Sequence, residues 1–129
     1  MTRTYCRSAM GMLSAAAVAI AASCAAAQTS PTPDPLAGFY GNTLKIEVQH
    51  NKQLRFFEPD HTYRDRIHGN VVSGTWAIED ERICTQVVHG SKYCNLGLGK
   101  AVGETWLDKD PYTGNEVKFT LIAGRKDDR

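Results

Sequence analysis

Between Leu44 and Leu121 the apolar residues of successive short segments recur at every second position, and no segment there keeps the three-and-four spacing of a helix. Leu44, Ile46 and Val48 alternate with Lys45, Glu47 and Gln49, the pattern of a strand with one dry and one wet face. Asn51-Lys52 reads as the first turn, after which Leu54 and Phe56 alternate with Gln53 and Arg55. Pro59 to Thr62 is a second turn, Tyr63 to His68 a third strand, and Gly69-Asn70 its end. Val72, Gly74, Trp76 and Ile78 share one face of a fourth strand, closed by the polar run Glu79-Asp80-Glu81. Arg82 to Val88 and Ser91 to Leu96 form the next hairpin, and Gly97, Gly99 and Gly103 interrupt the pattern as a loop or bulge does. Glu104 to Lys109 and a last strand bearing Val117, Phe119 and Leu121 flank the turn Asp110 to Asn115. Eight short strands joined by tight turns predict an all-β, up-and-down antiparallel barrel, because closure removes exposed edges; a β-sandwich is the alternative. Leu44, Ile46, Phe56, Trp76, Ile78 and Phe119 are the expected inward residues.

What precedes the strands has a different character. Arg3 and Arg7, the apolar run Ala9 to Ala22 and the small residues Ala25-Ala26-Ala27 read as a signal peptide over 1–27. This places the domain in the periplasm or outside the cell. Ala21-Ala22-Ser23-Cys24 offers a second reading, a lipobox that would anchor a lipoprotein through Cys24; a leucine usual to that motif is missing at Ala21. Pro31, Pro33 and Pro35 make 28–37 an extended linker, 38–124 the barrel domain and 125–129 a charged tail. Without Arg3 and Arg7 the 15 Lys and Arg fall to 13, against 14 Asp and Glu, a formal net charge of −1. That balance argues against a nucleic-acid partner, which needs a basic excess. The apolar run is short and alanine-rich for a transmembrane span, and no later segment approaches one.

Cleavage after Ala27 discards Cys6 and Cys24 and leaves Cys84 and Cys94, in a compartment where they can oxidise. Opposed residues of a hairpin have a constant index sum. Setting Cys84 against Cys94 leaves Val88-His89-Gly90 as a three-residue loop with glycine at the position that favours a left-handed backbone. Turn chemistry and cysteine spacing therefore select one register and a disulfide, worth up to about 3 kcal/mol through loop closure.

No catalytic residues, metal site or cofactor emerge from the motifs. His50, His61, His68 and His89 fall at turns or strand ends without paired ligand spacing. Asp108, Asp110, Asn115 and Glu116 miss the calcium-loop pattern, with Tyr112 and Thr113 where a ligand and a glycine belong. Ser73 sits in no nucleophile elbow, and Glu79, Asp80 and Glu81 lie on an exposed turn. Two features remain. Arg64, Arg66 and His68 share a strand face, with Arg55 on the neighbouring strand, as a candidate anion patch that Glu58 and Asp60 offset. On the opposite face Asp65 points with Tyr63 and Ile67 toward Trp76; a carboxylate there needs a partner, water or a cavity. If a cavity exists, Tyr63, Asp65, Trp76 and Trp106 are the candidate ligand-binding residues.

Gly41-Asn42-Thr43-Leu44, Phe56-Phe57-Glu58-Pro59-Asp60-His61-Thr62-Tyr63, Ser73-Gly74-Thr75-Trp76 and the cysteine pair follow one another in an order that resembles small exported proteobacterial proteins with a lipocalin-like, calycin-type β-barrel. The resemblance spans 38–124 and implies a fold and an exported location; it brings no activity. This chain departs from it at His61, where those proteins tend to have glycine. The functional expectation is a non-enzymatic binding protein, with an unidentified small molecule in the barrel or an envelope protein on its wall. The alternative is a periplasmic inhibitor or envelope-interaction protein acting through surface loops.

Overall fold

The computed structural model describes residues 30–126. The leader, Cys6 and Cys24, with any anchor there, and the last three residues of the tail lie outside the described residues. Among these, no helix is long and apolar enough to cross a membrane.

Eight strands follow in chain order: β1 Thr43–Val48, β2 Asn51–Phe57, β3 Thr62–Ile67, β4 Asn70–Glu79, β5 Arg82–Val87, β6 Lys92–Gly97, β7 Thr105–Lys109 and β8 Glu116–Ile122. All neighbours are antiparallel, in the spatial order β6-β5-β4-β3-β2-β1-β8-β7. β1 is laddered to β8, so the sheet curls round until only β6 and β7 face each other without a ladder. The result is a nearly closed, lipocalin-like antiparallel barrel. Side chains bridge the remaining seam: Arg82 donates to Asp108 at 3.0 Å, the Tyr112 hydroxyl donates to the Lys92 carbonyl at 2.6 Å, and the Tyr93 and Tyr112 rings meet edge to face.

Register decides what the interior contains. Leu44 pairs with Arg55, Ile46 with Gln53 and Val48 with Asn51, so the first turn is Gln49-His50, two residues earlier than composition suggests. A two-residue turn sets even positions of β1 against odd positions of β2, and opposed residues share a face. Gln53, Arg55 and Phe57 therefore point inward, and Leu54 and Phe56, expected inside, belong to the outer wall. They are still buried. Phe56 lies beneath the Arg125 guanidinium, 5.3 Å from its ring centre. That part of the tail is held by Thr43, whose hydroxyl donates to the Gly124 carbonyl and accepts the Lys126 N–H. On β3 and β4 the expected phase is found: Tyr63 opposes Gly74 and Asp65 opposes Val72. Ile78 shares this face but reaches the rim, where it is 42% exposed.

One end of the barrel is closed. Leu36 and Phe39, on a turn before β1, are fully buried against Leu44, Phe57, Trp76, Ile83, Leu96 and Leu121. Leu36 thus joins the core although it stands inside the proline-rich stretch 28–37; two turn bonds, Ala37 N–H to Asp34 and Phe39 N–H to Leu36, fold 34–39 over the barrel. Burial pushes the Tyr40 phenol up to about 12, helped by its hydrogen bond to Asp34 and that residue's charge. The signature Gly74-Thr75-Trp76 has a steric basis here. A methyl group on Gly74 would collide with the Gln86 carbonyl and with the Tyr63 ring. Trp76 is held by an indole N–H donated to the Glu58 carbonyl at 2.9 Å.

Left-handed backbone appears where the turns need it, though not always on glycine. His61 has φ +67°, the conformation that suits glycine, and its ring stacks on Trp76 at 4.2 Å, an attraction that offsets part of the strain. In the β5–β6 turn the left-handed residue is His89, φ +56°, and not Gly90 as expected. Gly90 serves space instead, since a Cβ there would lie 2.9 Å from that of Val87. Cys84 opposes Cys94 as the spacing requires, and the two are joined in a disulfide.

Candidate functional site

The other end of the barrel is open. It is ringed by the turns at 49–50, 68–69, 88–91 and 110–115, and between them lies a cavity of about 320 Å³. Its apolar wall is made by Ile46, Val48, Ile67, Val72, Val87 and Val117, inward residues from the open-end halves of their strands. Its polar lining is Gln53, Arg55, Tyr63, Asp65, Tyr93 and Asn95, with Asp110 at the rim.

The buried carboxylate foreseen at Asp65 has its partner in Arg55. The guanidinium grips it with two parallel bonds of 2.6 Å, Nε to Oδ1 and a terminal nitrogen to Oδ2. The other terminal nitrogen donates to the Thr85 hydroxyl at 3.2 Å, and Gln53 donates its amide N–H to Asp65 Oδ2 at 3.1 Å. Both charged residues are at least nine-tenths buried. The pair is cross-strand neighbours on β2 and β3, and such directly opposed positions let a fork meet a carboxylate in plane. The Arg55 guanidinium also sits 4.7 Å over the Tyr63 ring. Burial raises the Tyr63 phenol above its ordinary value, with Asp65 adding to the rise while Arg55 and Thr85 oppose it.

Asn95 lies two residues beyond Tyr93 on β6, on the same inward face, at a local irregularity. Ile83 pairs with Leu96 and Cys84 with Cys94, so Asn95 is an extra, unpaired residue, a β-bulge on β6. The extra residue lets the next one, Leu96, also turn inward, opposite Ile83 in the core.

Of the four residues expected around a ligand, Tyr63 and Asp65 line this cavity and Trp76 and Trp106 do not. Trp76 belongs to the closed end. Trp106 stacks on Phe119 at 5.5 Å beneath the Lys100 ammonium, and its buried indole N–H has no partner among the described residues. Arg55, Gln53 and Asn95 are the site residues that sequence reasoning missed. The index sum across a two-residue turn carried the signal for the first two.

The anion patch divides. Arg55 faces the interior and leaves it. Arg64 and Arg66 remain on the outer wall and, with Phe56, Glu58, Val71 and Arg125, line a concavity of about 360 Å³. Glu58 offsets it, 2.6 Å from Arg125 and 3.7 Å from Arg64. His50, His68 and His89 sit in three of the open-end turns, and His61 at the other end. Among the described residues the one cluster of three ligating side chains is Glu79, Cys84 and Cys94, and both its sulfurs belong to the disulfide.

Comparison with family models, curated proteins and solved structures gives no match for this chain.

Proposed function

We propose that this chain is an exported, non-enzymatic binding protein that holds a small ligand in the open end of its barrel. The observation that carries the reading is the cavity around Asp65: its volume, about 320 Å³, falls at the small end of ligand sites, and it joins an apolar wall to a few oriented polar groups. Binding fits better than catalysis because the charged groups of the floor, Arg55 and Asp65, are already committed to each other, Asp65 accepting three N–H bonds from Arg55 and Gln53. The disulfide supports export, since such bonds persist in oxidising compartments. Recognition of an envelope protein by the surface loops is the other reading; an open pocket favours the ligand.

Native mass spectrometry of the protein recovered from the envelope of an exporting host tests this. The expected result is an oxidised species carrying a reproducible small-molecule adduct, absent from Val72→Trp, whose indole would fill the cavity. An adduct equally present on a folded Val72→Trp variant would place the ligand elsewhere and defeat the proposal.

A further inference from the structure

The floor of the cavity has more hydrogen-bond donors than it uses. A guanidinium carries five N–H groups, and Arg55 spends two on Asp65 and one on Thr85. Two remain. The carboxamide of Asn95, on the same face as Tyr93, lines the cavity and has no hydrogen-bond partner among the described residues. Asn95 is half-buried, so its carboxamide can hold water, and a guest that brings an acceptor replaces that water with a directed bond. The charge of the floor points to the kind of acceptor. Arg55 is matched in plane by Asp65, and the remaining ionised group of the lining, Asp110, is negative. An anionic guest would meet two carboxylates and one guanidinium already neutralised. A cationic guest finds no free carboxylate on the floor, since Asp65 is spent on Arg55 and Gln53, and at the rim Asp110 already accepts the Tyr112 and Thr113 N–H groups. The walls above are aliphatic, and the volume suits one ring with a short substituent.

From these features we infer that the cavity selects an uncharged, ring-sized compound, held through a carbonyl oxygen that accepts from Asn95 and Arg55 while its apolar body lies against Ile46, Val72 and Val117. This rests on the cavity being the ligand site and adds the chemistry of the ligand. It also assigns Asn95 as a specificity-determining residue.

Four probes of one shape test it: acetophenone, benzoate, benzylamine and isopropylbenzene. Each is titrated into the full chain from the exporting host, freed of native adduct, with amide NMR shifts as the readout. Acetophenone binds at least tenfold more tightly than benzoate or benzylamine. Asn95→Leu weakens acetophenone by about tenfold, the order expected for one lost hydrogen bond, and leaves isopropylbenzene within about twofold. Asn95→Asp keeps the side-chain shape, removes the donor and lowers acetophenone affinity likewise, which covers the case of a Leu variant that folds poorly. Benzoate or benzylamine binding as tightly as acetophenone overturns the inference, as does acetophenone binding that neither variant changes. If none of the probes binds although a native adduct is lost in Val72→Trp, the carbonyl inference falls and the cavity site stands. If none binds and Val72→Trp keeps its adduct, both fall.

Discussion

At the closed end of the barrel the inward positions carry Phe57, Trp76, Ile83 and Leu96, and the chain adds Leu36 and Phe39 to cover them. At the open end the same strands turn Gln53, Arg55 and Asp65 inward, and the turns around them leave a cavity. The alternation along each strand is one pattern, but its content changes with depth. Apolar burial at about 25 cal/mol per Å² concentrates stability at the closed end. A buried ion pair contributes little net stability, since desolvation of both charges offsets their attraction. The comparison teaches that the two ends answer to different demands. One holds the barrel together, and the other keeps polar groups in place at no gain in stability.

The sharpest way to break that comparison is to strike both ends. Trp76→Ala, at the closed end, is expected to cost about 3–5 kcal/mol in chemical denaturation. A loss below about 1 kcal/mol would show that the closed end is not the stabilising one. Asp65→Ala strands a buried guanidinium and should cost a similar amount, about 3–5 kcal/mol. The informative partner is the double variant Arg55→Met with Asp65→Leu. If the pair is kept for binding, the double variant is nearly as stable as the parent and loses its ligand. A double variant as unstable as Asp65→Ala would make the pair structural and erase the distinction.

Smaller effects refine it. Cys84→Ser with Cys94→Ser should lower stability by up to about 3 kcal/mol. A thermal midpoint unchanged from the oxidised parent would show that the staple does not act on folding. The smallest effect concerns pH. Tyr40 holds its proton to about 12 in the folded chain against 10 when unfolded, so the neutral phenol favours the fold. That contribution is complete below pH 10 and declines as pH rises from 10 toward 12. Tyr63, also raised by burial, adds to the same trend. Denaturation midpoints measured across this window should fall less steeply in Tyr40→Phe than in the parent; parallel curves would remove Tyr40 from the account.

Much of the fold was legible because period two returns in one short segment after another between Leu44 and Leu121, and because the cysteine spacing and the β5–β6 turn agree on a register. Half of the site was legible too. Asp65 could be placed inside by counting along β3, even against its charge. Its partner was hidden by composition: Leu54 and Phe56 look more like interior residues than Arg55 does, and only the parity of the first turn overrides them. Asn95 was within reach of the same counting, since the index sum from Cys84 and Cys94 puts it on the face of Tyr93, but its polar side chain gives no reason to place it inside. Leu36 was masked by the prolines around it, because a single apolar residue in an extended stretch has no period to reveal its burial.

The seam has a consequence for how the chain could be rewired. Reading the sheet from β7 gives the order β7, β8, β1, β2 and onward to β6, so every ladder except β8 with β1 is already a hairpin between successive strands. A circular permutant opened in the 98–104 loop, with the original ends joined, severs no ladder. It also converts the one long-range pairing into a local one. Such a molecule is a pure meander of lower contact order, and its refolding in stopped flow should be faster than the parent's.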